Sequence, residues 1–63
     1  MLADILKKLP EEQKTVIIMK EYEGLKFREI SETLNISENT AKSRLYYGLK
    51  ALKKLLENSE LKY

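Results

Sequence analysis

The chain has 63 residues, 43% of them apolar and 35% charged, with 12 Lys and Arg against 10 Asp and Glu for a net charge of +2. One domain is the limit at this length, and a domain so small buries only about 60% of the surface its unfolded chain exposes. With no Cys and no His there is no disulfide framework, no thiolate or imidazole metal site and no histidine base, so neither a metal nor a cofactor is expected.

The first apolar-periodic stretch, Leu2 to Leu9, predicts a short helix. Pro10 suits the first position of a second helix, where the missing N–H is no loss. Glu11 and Glu12 then complement the helix dipole in its first turn. This helix is expected to reach about Tyr22; its run Val16-Ile17-Ile18-Met19 is apolar throughout and implies packing on more than one side. Gly24 is a stop signal, free to take positive φ. A third, short helix is expected from Phe27 to Leu34, with Ile30 and Leu34 four residues apart on one face. Asn35 suits a left-handed position, Ser37 an N-cap, and a fourth helix runs from Glu38 to about Glu57 with Gly48 as its single weak helix former. No apolar run approaches the roughly 20 residues that cross a bilayer. The segment Met1-Leu2-Ala3-Asp4-Ile5 is no signal peptide, so a cytoplasmic, membrane-free chain is expected.

These elements make an all-α, four-helix single domain over residues 1–63, and Phe27 to Leu45 reads as a helix-turn-helix: short helix, turn Asn35-Ile36-Ser37, long helix. Ser31 is small where the two helices cross, Ile36 plugs their corner, and Ala41 and Leu45 close the contact. On a helical wheel centred on Ala41, Leu45, Gly48, Leu52, Leu55 and Leu56 fall within about 60°, with Leu49 at the edge. Asn39, Lys42, Ser43, Tyr46, Lys50, Lys53 and Lys54 occupy the opposite face. Residues 1–35 carry six cations and seven acids, residues 36–63 six cations and three acids, and none of the acids lies between Thr40 and Lys54. Such a face is either solvated helix surface or a phosphate-facing one. Asn39, Thr40 and Ser43 at its N-terminal end suit base edges in a major groove, and the lysines further along suit phosphate oxygens. A catalytic reading fails on chemistry: Ser43 has no His to activate it, Glu29 and Glu32 or Glu21 and Glu23 form no ligand pattern, and two glycines make no phosphate loop.

Three segments carry a family resemblance: Leu9-Pro10-Glu11-Glu12-Gln13-Lys14-Thr15-Val16-Ile17, Tyr22-Glu23-Gly24-Leu25-Lys26-Phe27-Arg28-Glu29-Ile30, and Ile36-Ser37-Glu38-Asn39-Thr40-Ala41-Lys42-Ser43-Arg44-Leu45. In order and spacing the chain resembles the C-terminal region 4 domain of bacterial RNA polymerase sigma factors, most of all the extracytoplasmic-function class, from about Leu6 to Leu56. The resemblance implies a domain that reads the −35 element of double-stranded promoter DNA, docks on the flap of the RNA polymerase β subunit and is open to masking by an anti-sigma protein. Carried over by position, Glu38, Asn39, Thr40, Lys42, Ser43 and Arg44 match the DNA-reading helix, and Lys14 matches a position near phosphate. Tyr46 and Lys50 extend that face; Lys26 stands where the family has a capping Ser or Thr, so a cap is lost and a cation gained. The family commonly has Ala and Gly at the positions of Ser31 and Asn35, and more Arg around Tyr47 and Leu49. Nothing in the chain resembles the promoter-melting domain of such factors, which implies a piece of a longer protein with Met1 as an added start.

Two alternatives stand beside this reading. One is the output domain of a different helix-turn-helix regulator, which would bind palindromic half-sites as a dimer. The other is a helical protein-interaction module using the stripe Leu45, Leu49, Leu52 and Leu56.

Overall fold

The computed structural model describes residues 2–58, with side chains from Asp4 onward; Met1, Glu60 and Lys62 lie outside the described residues. Four helices follow in order: α1 (Leu2–Leu6), α2 (Glu11–Ile17) prolonged by a π-helical turn (Ile18–Tyr22), α3 (Phe27–Leu34) and α4 (Glu38–Glu57). There is no strand among the described residues.

The first helix is shorter than the periodicity predicts. After Leu6 the chain closes two tight turns, Lys8 N–H to the Ile5 carbonyl at 3.0 Å and Leu9 N–H to the Leu6 carbonyl at 3.1 Å. The proline ring disfavours helical backbone in the residue before it, so Leu9 leaves the helix yet stays buried. Pro10 itself sits one position earlier than expected. With φ −54° and ψ 143° it is the N-cap, not the first helical residue. Its carbonyl accepts the N–H groups of Gln13 at 3.1 Å and Lys14 at 3.0 Å.

The second helix differs from expectation in its last turn. The Glu23 N–H reaches the Ile18 carbonyl, five residues back, at 3.1 Å, and the Leu25 N–H reaches Met19 at 3.0 Å. Val16, Ile17 and Met19 are buried while Ile18 is half-buried; Val16 and Met19 join one core cluster and Ile17 another, so the apolar run packs on more than one side as expected. Gly24, at φ +68°, then reverses the chain as its type demands.

Helix α4 is the spine of a molecule measuring 39 × 18 × 16 Å. Toward its N-terminal half, Val16, Met19, Ile30 and Ala41 form one buried cluster, with Leu25, Phe27, Leu34 and Ile36 around it. Toward its C-terminal half, Leu6, Leu9 and Ile17 pack on Ala51, Leu52 and Leu55, and Leu45 joins the two clusters. Ile30 and Val16 are fully enclosed at 0% exposure, each contributing about 1.5–3 kcal/mol of burial. The covered arc of α4 is rotated from the predicted one. It runs from Ala51, at about −80° from Ala41, to Leu45 at about +40°. Leu56, expected in the core face, is therefore 38% exposed, as is Leu49; α1 and α2 lie to the other side.

Helices α2 and α4 touch at Gly48. A Cβ there would stand 2.9 Å from Ile17 Cδ1 and 3.2 Å from Gln13 Cβ. Replacement by Val adds branched atoms that neither neighbour can fully evade, so Gly48→Val should cost about 2 kcal/mol or more, read as a lowered thermal midpoint by circular dichroism, while the exposed Leu49→Ala stays within about 1 kcal/mol.

Candidate nucleic-acid interface

The interface begins with the turn between α3 and α4. Asn35 adopts φ 57°, ψ 48°, the left-handed conformation its short amide side chain tolerates. The N–H groups of Asn35 and Ile36 both return to the Ser31 carbonyl, the latter at 3.0 Å. Ser31 is buried at 7% exposure between the helices, and its Oγ donates to the Arg28 carbonyl at 2.8 Å, so the hydroxyl is satisfied where the family's Ala would have none to satisfy. Ser37 caps α4 from extended backbone: its Oγ accepts the Thr40 N–H at 3.0 Å and donates to Thr40 Oγ1 at 2.9 Å. The side-chain cap of α3 is lost, as expected, but the start of the helix is closed from the other side. An ammonium has no acceptor, but the Glu29 carboxylate reaches back to the Lys26 backbone N–H at 2.7 Å, completing the reciprocal half of a capping box.

This frame fixes what α4 presents. Asn39, Lys42, Ser43, Tyr46 and Lys50 are all exposed and share one face of the helix, spanning about 100–200° from Ala41. Glu38 is exposed in the first turn, where an acid complements the helix dipole. Tyr46 stacks edge-on against Tyr47 with centroids 5.1 Å apart and planes at 79°.

The remaining predicted residues do not join that face. Thr40 is half-buried and its hydroxyl is engaged by Ser37. Arg44 turns toward α2: its Nη2 lies 3.9 Å from Glu12 Oε2 and its side chain is 28% exposed. Asn39, Thr40, Ser43, Arg44 and Tyr47 line, with Glu12 and Gln13 of α2, an open groove of about 310 Å³. Lys14 pairs with Glu11 at 3.1 Å on α2. Lys26 is exposed at the start of α3.

Sequence reasoning missed one contributor. Lys20, on the π-helical turn, places Nζ 4.5 Å from the centroid of the Phe27 ring and donates to the Leu25 carbonyl at 3.2 Å. Lys42 Nζ lies 5.8 Å from the same centroid. No local spacing announces this meeting, because the three residues come from α2's extension, α3 and α4.

A short helix, a left-handed turn and a long helix whose exposed polar face carries no acid from Asn39 to Lys54 define a helix-turn-helix domain. Residues 1–52 match the family described as Sigma-70, region 4, and the chain belongs to that family. It is 40% identical over 60 residues to the RNA polymerase sigma factor SigV of Bacillus subtilis, covering 95% of this chain and 36% of that protein. It is 43% identical over 51 residues to the ECF RNA polymerase sigma factor SigW of the same organism, covering 81% of this chain and 27% of the relative. The ECF RNA polymerase sigma factor SigL of Mycobacterium tuberculosis is 39% identical over 57 residues, 90% of this chain and 32% of its own. The chain thus spans about a third of the length of the curated relatives it matches.

The Ser37 cap is the most testable part of the frame. Ser37→Ala should lower stability by about 1 kcal/mol in denaturant titration, and hydrogen exchange at the Thr40 amide should accelerate as its acceptor is removed.

Proposed function

We propose that this chain is the promoter-binding domain of a sigma factor: a non-catalytic, cytoplasmic module that holds RNA polymerase at the −35 element of double-stranded DNA and forms one domain of a longer protein. The observation that carries the reading is the exposed face Asn39, Lys42, Ser43, Tyr46 and Lys50, which contains no acid and lies on the helix that Ser37 caps. Asn39 and Ser43, near the N-terminal end of α4, read base edges; Asn pairs with adenine and Ser serves several bases. Lys42 and Lys50 meet phosphate oxygens, which set register and make binding salt-dependent. Glu38 accepts from an exocyclic amine at the groove edge, Tyr46 packs on the sugar–phosphate backbone, and Lys14 and Lys26 add flanking positive charge. Thr40 contributes through the α4 cap, and Arg44 by bracing α4 against Glu12 of α2.

A second surface supports the polymerase and anti-sigma part of the proposal. Leu6, Ile17, Glu21, Tyr22, Leu49 and Leu52 line a largely apolar groove of about 340 Å³ on the flank of α4 that meets α1 and α2. The β-subunit flap and an anti-sigma protein are its proposed occupants, both able to present an apolar helix.

Fluorescence anisotropy with a duplex carrying a −35-type GGAAC sequence and with a scrambled duplex, over a salt series, tests the reading. The promoter duplex should bind more tightly. Lys42→Ala should weaken binding to both duplexes and reduce the salt slope by about 0.9. Asn39→Ala should instead erode the preference, by about 1–3 kcal/mol. Equal binding to both duplexes, unmoved by either substitution, would remove the promoter-reading claim and favour the protein-interaction module.

A further inference from the structure

We propose that Glu21 is the selectivity determinant of the apolar groove: it admits a partner helix that carries a Lys or Arg at the edge of its apolar face and turns away one that carries an acid there. The proposal rests on the reading of the groove as a docking site for another protein.

Leu6 of α1 and Ile17 of α2 are buried core residues that back the groove, Leu49 and Leu52 belong to α4, and Glu21 and Tyr22 come from the π-helical turn. Tyr22 and Leu49 remain exposed. Every one of these residues sits on a helix, so the groove offers no strand edge. An extended segment laid there would find no backbone partners for its own N–H and C=O groups. A helix arrives with those groups already bonded and presents apolar side chains at i, i+3, i+4 and i+7.

Glu21 is the only charged residue of that lining. No cation pairs with it among the described residues, although Glu11, Glu12 and Glu32 each have one. The adjacent Lys20 is committed elsewhere: its Nζ donates to the Leu25 carbonyl at 3.2 Å and lies 4.5 Å from the centroid of the Phe27 ring. In the free domain Glu21 is exposed, and water solvates its carboxylate. A helix that fills the groove removes part of that water. A carboxylate left uncompensated against apolar atoms is costly, and an acid brought opposite it costs more. A Lys or Arg instead replaces the lost solvation with a charge-assisted hydrogen bond. The apolar contacts thus attract any amphipathic helix, and Glu21 decides between such helices by what it penalises.

The test is an NMR titration of the isotope-labelled 63-residue chain with three amphipathic peptides. Each peptide has about 18 residues, long enough to hold a helix. They share one leucine stripe and neutral residues elsewhere, and differ by Lys, Gln or Glu at a single position beside the stripe. Amide shift changes at Leu6, Ile17, Tyr22, Leu49 and Leu52 report occupancy of the groove. The Lys peptide should bind the wild-type chain roughly fivefold more tightly than the Glu peptide, with the Gln peptide between them. That gap should narrow as salt rises. Glu21→Lys should reverse the order and Glu21→Gln abolish it. Glu21 is exposed and has no ion-pair partner among the described residues, so both variants should keep the wild-type thermal midpoint. Peptides that fill the groove with equal affinity in the wild-type chain and in Glu21→Lys overturn the role of Glu21 and leave the docking reading standing. Peptides that leave the groove amides unmoved overturn the docking reading and the selectivity with it. Groove amides that shift with the concentration of the chain alone assign the face to a second copy and overturn the proposal.

Discussion

Helix α4 has to be buried and exposed at once, and the rest of the molecule is arranged around that constraint. Its inner arc closes two small apolar clusters joined by Leu45, and α2 spans the same two clusters with Val16 in one and Ile17 in the other. The contact at Gly48, against Ile17 and Gln13, lets α2 approach the spine closely. That closeness matters in a chain this short, because little other apolar surface is available to bury. Glycine in a helix interior weakens it by up to about 1 kcal/mol relative to alanine, and the tight helix–helix contact offsets that loss.

The frame that aims α4 is made of hydrogen bonds rather than ion pairs. On one side of the turn Asn35 and Ile36 bond back to Ser31, and on the other Ser37 and Thr40 bond each other. Each satisfies a backbone or hydroxyl group that the helix ends would otherwise leave open. The ion pairs, by contrast, each have a partner that is largely exposed, and such pairs contribute little to stability. Rigidity at the turn and tolerance at the surface suit a module that must hold a helix in a groove while its flanks adapt to backbone phosphates.

Net charge conceals this organisation. A chain of +2 overall still sets out one face of α4 without a carboxylate from Asn39 to Lys54 and places one further cation, Lys20, near Lys42 around the Phe27 ring. Its apolar groove lies elsewhere, between α1, the end of α2 and the flank of α4. One of these surfaces is polar and basic, the other mostly apolar.

Much of this was legible in local sequence. Asn35 and Gly24 at positive φ, Ser37 as a cap, the bounds of α3 and α4, and the polar face of α4 follow from steric and hydrogen-bonding preferences that act within a few residues. What local sequence did not determine depended on neighbours. The end of α1 was set by the ring of Pro10, the last turn of α2 widened to a hydrogen bond five residues back, and the start of α3 was closed by a glutamate three residues on. The rotation of the covered arc, which exposes Leu56 and half-buries Arg44, follows from which side of α4 the helices α1 and α2 occupy. The cluster of Lys20, Phe27 and Lys42 is the clearest case. Periodicity assigns each residue to a face of its own helix, but only the packing of three elements decides which faces meet.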